Sequence, residues 1–145
     1  MRKKILIVED NTELLELLRL NLKHAGFSVA TATNGIEALK KAHSISPDLV
    51  VLDLVLPELD GFAVCETLRR DNATARLPIV VLTGLTSQIS RLAGLESGAT
   101  AYVTKPVNTD TLVSRIKRLL AREPQPVPEA GRGNSGFTRL PAVAD

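Results

Sequence analysis

Three apolar runs, ILIV at 5–8, LVVL at 49–52 and IVVL at 79–82, each end directly on polar residues suited to chemistry: Glu9-Asp10, Asp53 and Thr83. A β-branched run without polar alternation needs cover on both faces, which distinguishes strands of a parallel α/β sheet from those of a sheet with one wet face. With FSVATA at 27–32 and AYVT at 101–104, they make five expected strands. Amphipathic segments near 11–25, 35–45, 61–72, 86–97 and 109–122 read as helices between and after them. The first places Leu14, Leu15, Leu18 and Leu22 on one stripe, with Asn11 or Thr12 as N-cap and Gly26 as its stop. In the last, Leu112, Ile116, Leu119 and Leu120 form the stripe, and in the third Cys65 joins Phe62 and Leu68 on the inner face as a small buried residue. The fourth stripe, Ile89, Leu92, Ala93 and Leu95, is weaker and follows Gly84, which implies low local stability there. Five β-then-α units with right-handed crossovers predict a three-layer α/β sandwich.

Composition narrows the class further. The chain has 145 residues, 44% hydrophobic and 23% charged, with a formal charge of +2, which suits one soluble domain and is too weak for a phosphate-neutralising surface. Its apolar runs are too short to span a bilayer, and the start MRKKILIVED lacks a signal-peptide pattern. A single cysteine, Cys65, rules out an internal disulfide and fits a cytoplasmic location. After Arg122, four of the eight prolines and three of the nine glycines fall within 23 residues. This is linker or tail chemistry, so the domain is placed at 1–122 and no packed structure of its own is expected at 123–145.

Ligands of open α/β sheets bind at the carboxyl ends of the strands. Glu9, Asp10, Asp53 and Thr83 fall at that edge, and Lys105 follows the fifth strand. Gathered carboxylates raise one another's pKa unless a hard cation offsets their charge, so a divalent ion such as Mg²⁺ (or Mn²⁺) is expected. A carboxylate nucleophile, a metal, a hydroxyl and an ammonium together suit phosphoryl transfer. Alone, an aspartate at a strand end is usually a cap or turn residue; five such groups converging on one edge favour a site.

These residues, in ILIVEDN, VVLDLVLPELDGF, IVVLTG and AYVTKP, resemble the two-component response regulator receiver domain, in the manner of chemotaxis regulators, across 1–122. That resemblance implies a doubly wound sheet in the order 2-1-3-4-5. It further implies Asp53 as phosphoacceptor, Asp10 and the Val55 main-chain carbonyl as metal ligands beside Asp53, and Glu9 as an outer-sphere ligand. Thr83 and Lys105 would contact the phosphoryl oxygens, and Tyr102 would be a switch residue turning inward with Thr83. A cis bond at Lys105-Pro106 is implied too. The implied partners are a sensor histidine kinase or histidine phosphotransfer protein upstream and a protein target downstream, with no direct nucleic-acid or membrane binding. The protein would be a monomer or a weak phosphorylation-dependent dimer. Its own chemistry would be self-phosphorylation from a donor and slow autodephosphorylation, slow because Val55 and Leu85 offer no group to orient water.

Departures from the family pattern include Gly84, Val107, and Thr100 with Ala101 in place of an acidic pair, which leaves Arg115 and Arg118 without those acids as partners across a symmetric dimer. With Lys117 and Arg122 they otherwise read as a solvated basic face. His24 and His43 lie near helix ends with no metal-ligand spacing, and Asp60-Gly61, after Pro57, reads as the turn that starts the third helix. Two alternatives stand beside the stand-alone switch: the receiver part of a longer regulator with a DNA-binding or enzymatic output, and a Mg²⁺-dependent small-molecule phosphatase. The phosphatase would need an acid where Val55 stands and room for a substrate cap. No GxxxxGK[ST] or GxGxxG follows a strand to cradle a nucleotide.

Overall fold

The computed structural model describes residues 2–84, 98–122 and the backbone of 142–143. Its elements are β1 (Lys4–Val8), α1 (Thr12–His24), β2 (Ser28–Ala32), α2 (Gly35–Ser44), β3 (Leu49–Asp53), α3 (Gly61–Arg70), β4 (Ile79–Thr83), β5 (Ala101–Thr104), α4 (Thr109–Leu120) and β6 (Ala142–Val143). The expected helix at 86–97 lies outside the described residues, with Leu85 and the stripe from Ile89 to Leu95.

The strands form one parallel sheet in the order β2-β1-β3-β4-β5-β6. Its first five positions have the expected 2-1-3-4-5 winding. β3 and β4 are buried along their whole length, as their unbroken apolar runs require. One face of the sheet packs Ile5, Ile7, Val51 and Leu82 against Leu18 and Leu22 of α1 and Leu112 and Ile116 of α4. The other packs Leu6, Val8, Val50 and Val81 against Ala38 and Ala42 of α2 and Val64, Cys65 and Leu68 of α3. Each large apolar side chain so buried contributes about 1.5–3 kcal/mol, so the two clusters hold the three layers together.

Helix starts are set by local chemistry. Asn11, Asn34, Asp60 and Asn108 each sit extended before a helix, and their side chains accept from the backbone N–H of Leu14, Glu37, Ala63 and Thr111 at 2.8–3.0 Å. Each bond satisfies an otherwise orphaned donor, worth about 1 kcal/mol. Gly26, with φ at 102°, stops α1 in the left-handed conformation that glycine adopts without strain.

One element stands beyond the five expected strands, and one expectation is corrected. The chain after Arg122 contributes β6, whose Ala142 and Val143 pair in parallel with Ala101 and Tyr102. A strand edge presents unpaired N–H and C=O groups that any extended segment can satisfy, even one without strand periodicity. Arg115 is not simply solvated either: its Nη1 is buried with no hydrogen-bond partner.

Candidate phosphoryl-transfer site

Parallel pairing brings the polar strand ends to one edge. Val8 of β1 is in register with Leu52 of β3, and Asp53 with Leu82 of β4, so Glu9, Asp53 and Thr83 emerge side by side. Thr83 in turn pairs with Thr104, and the Lys105 N–H donates to the Thr83 carbonyl at 2.8 Å, which delivers the lysine to the same edge. The Lys105-Pro106 bond is cis.

Carboxylate oxygens of Glu9, Asp10 and Asp53 lie within 4.8 Å of one another. Glu9 and Asp53 are buried and Asp10 is exposed, so the cluster opens to solvent on one side. Lys105 Nζ stands 3.2 Å from Glu9 Oε1 and 3.3 Å from Asp53 Oδ2. The other oxygens meet the backbone: Glu9 Oε2 accepts from the Asn11 N–H and Asp53 Oδ1 from the Val55 N–H, both at 3.2 Å.

This arrangement is short of positive charge. Burial, followed by the Asp53 charge, raises the Glu9 pKa; the Asn11 amide and Lys105 offset only part of that rise. For Lys105 burial alone would lower the pKa, but the Asp53 and Glu9 carboxylates together outweigh it and raise the value. Glu9 Oε1 is buried and receives no hydrogen bond of good geometry, only the ionic contact with Lys105. An acid-rich cluster with an underused buried oxygen and an all-oxygen donor set fits a hard divalent cation.

The other sequence-predicted residues fall as follows. Thr83 is buried, while the Val55 side chain is 65% exposed beside Asp53. Tyr102 is fully buried in the core cluster that includes Cys65, Leu68, Val81 and Ala99. Leu85 lies outside the described residues.

Sequence reasoning read Gly61 only as part of a turn. A Cβ on it would lie 2.4 Å from the Asp53 carbonyl oxygen and 2.6 Å from Leu54 Cα, and its N–H donates to the Leu54 carbonyl at 2.9 Å. Gly61 therefore lets α3 start against the main chain of the acceptor strand. The Asp-Gly pair signalled a turn, but only the tertiary approach shows why the second residue lacks a side chain.

Residues 5–117 match the model of the response regulator receiver domain, and the chain belongs to that family. It is 42% identical over 145 residues to the alkaline phosphatase synthesis transcriptional regulatory protein PhoP of Bacillus subtilis, covering 100% of this chain and 60% of that protein. It is 40% identical over 129 residues to the DNA-binding dual master transcriptional regulator RpaA of Synechocystis, covering 89% and 53%. The chain thus spans little more than half the length of these relatives. Among solved structures, the receiver domain of the Pseudomonas aeruginosa sensor histidine kinase PA1611, with a magnesium ion coordinated in its active-site cleft, matches at a TM-score of 0.79 and 29% identity, over 84% of this chain and 100% of that one. No helix among the described residues is long and apolar enough to cross a membrane.

Proposed function

We propose that this receiver is a switch that accepts a phosphoryl group on Asp53. The observation that carries the reading is the placement of Lys105 Nζ against both Glu9 and Asp53 within the three-carboxylate cluster. In the transfer, an Asp53 carboxylate oxygen attacks phosphorus in line. The new O–P bond forms as the P–N bond to a phosphohistidine imidazole breaks, and the leaving imidazole takes up a proton. Asp10, Asp53 and the Val55 carbonyl would hold Mg²⁺, with Glu9 outside them. The ion would neutralise charge on the transferred group. Lys105 contributes a fixed positive charge to one equatorial oxygen, and Thr83, at the same edge, donates its hydroxyl to another.

The donor is a sensor histidine kinase or a histidine phosphotransfer protein, and a small phosphodonor such as acetyl phosphate serves in its place. Transfer to itself and slow hydrolysis are the whole of the catalysis. Phosphorylation adds charge and three acceptors at one strand end, and Thr83, at that edge and beside the strand that carries Tyr102, turns toward them. A second reading of the whole protein is favoured by length. Its relatives are named as DNA-binding or transcriptional regulators and extend well beyond the matched part, so the domain would regulate an output domain in the same chain.

Metal binding is tested by thermal unfolding in a Mg²⁺ titration. Ligand that binds only the folded state raises its midpoint. The native protein is expected to show a saturable rise that Asp10→Asn largely removes; equal rises in both would contradict the ligand set. A second test concerns lifetime. The exposed Val55 side chain has no group to orient water toward the acyl phosphate, so Val55→Asn should speed loss of the Asp53 phosphoryl group by about tenfold, less than the roughly hundredfold or more of a general base, because an amide orients water without taking its proton. Equal decay of ³²P label in both proteins would overturn that account.

A further inference from the structure

The strand that carries Tyr102 is gripped at the end farther from Asp53. Arg69, in the last turn of α3, donates through Nε to the Gly98 carbonyl at 2.9 Å and through Nη1 to the Thr74 and Ala75 carbonyls at 3.3 Å each. Its Nη2 donates to Thr100 Oγ1 at 3.2 Å. All four acceptors are neutral, and burial lowers the Arg69 pKa, so the charge is held by hydrogen bonds alone among these contacts. A guanidinium is a rigid planar fork, and one that engages both the loop after α3 and the segment leading into β5 fixes them in a single relative position.

The packing is close. Gly98 has φ at 101°, and a Cβ there would stand 2.7 Å from Arg69 Cγ. Thr100 is pinned to the start of β4 as well, its N–H donating to the Ile79 carbonyl at 2.8 Å and its Oγ1 accepting from the Ile79 N–H at 2.9 Å. The Thr100 hydroxyl meets Arg69 of α3 directly, and Tyr102 follows two residues on, in β5. Cys65 and Leu68, just before Arg69, lie in the same buried cluster as Tyr102. Ile79 begins β4 and Thr83 ends it, so this clamp and the carboxylate site occupy opposite ends of the strands.

We propose that Arg69 is a positioning residue for the switch: through Gly98 and Thr100 it holds Tyr102 in its buried place from the far end of the sheet, whether or not Asp53 carries a phosphoryl group. The proposal rests on the reading of Asp53 as the phosphoacceptor given above. It differs from the simple expectation that phosphorylation drives the ring inward, because burial is preset here by α3.

The chain has no tryptophan and a single tyrosine, so its tyrosine emission reports Tyr102 alone. Acrylamide quenching of that emission, with and without Mg²⁺ and beryllium fluoride, would be measured for the native protein, Arg69→Ala, Arg69→Lys and Thr100→Val. The native protein is expected to be shielded in both conditions. Removing the clamp should raise the quenching constant without beryllium fluoride by about threefold or more, the population shift that lost hydrogen bonds of this kind produce. Arg69→Lys, with charge but no fork, should fall between, and beryllium fluoride should restore shielding in every folded variant. Native Tyr102 that is freely quenched until beryllium fluoride is added would overturn the proposal, as would folded variants quenched no more than the native protein. Should Arg69→Ala lose its far-ultraviolet dichroism, Arg69→Lys and Thr100→Val decide the matter. The clamp is read without any phosphodonor, so a failure of Asp53 to accept phosphate is seen separately, by intact mass.

Discussion

Gly61 shows how one missing Cβ supports a distant group. The atom that alanine would add falls on the Asp53 carbonyl oxygen and Leu54 Cα, both main chain, so the clash cannot be relieved by a rotamer change. Gly61→Ala should therefore cost about 1–3 kcal/mol, read as a lower urea midpoint, although alanine is the better helix former; an unchanged or raised midpoint would refute the close approach. At this scale the sequence was informative about chemistry and poor about fit. Glu9, Asp10, Asp53, Thr83 and Lys105 could be named because each ends or follows a recognisable strand. Gly61 and Arg69 could not, since what they touch lies on other elements. The burial of Tyr102 was hidden for the same reason.

Among elements, α2 and the end of α3 are joined by a surface pair 28 residues apart in sequence. His43 Nε2 lies 2.6 Å from Asp71 Oδ2 while its Nδ1 lies 2.9 Å from the Leu39 carbonyl. Both partners only accept, so the ring satisfies both solely as the imidazolium, with two N–H donors. The Leu39 carbonyl first, then Asp71, raises the His43 pKa, and His43 lowers that of Asp71. A raised histidine pKa gives stability that is complete below the ordinary histidine value and is lost as pH rises through the folded one. A lowered aspartate pKa gives stability that is lost as pH falls through its folded value. The pair therefore works between the carboxylate and imidazole ranges. Asp71→Asn should lower the thermal midpoint more at pH 5.5 than at pH 8.5, and by little at either, since the pair is exposed; an equal loss at both values would contradict the ionic reading. The strands themselves were legible because β-branched runs buried on both faces have few other uses. Asn11 was readable as a cap, and so was the turn at Asp60-Gly61. The roles of Asn34 and Asn108 emerged only with the helix starts they define, and β6 was missed because its residues carry no strand period.

For the whole molecule, parallel winding decides the function. Every strand points its carboxyl end the same way, so residues far apart in sequence, from Glu9 to Lys105, meet at one edge without any loop having to carry them there. Helices cover both faces of the sheet, and at the opposite edge Arg69 joins α3 to the approach to β5. Relatives named as transcriptional regulators extend well beyond the part that this chain matches. The central claim is that Asp53 is the acceptor. It is tested most directly by incubating the protein with Mg²⁺ and acetyl phosphate and weighing it intact beside Asp53→Asn. One phosphoryl group, about 80 Da, gained by the native protein only and lost when Mg²⁺ is chelated beforehand, is the predicted result. Equal gain by Asp53→Asn, or no gain by the native protein either with acetyl phosphate or with a phosphorylated histidine kinase, would contradict the account.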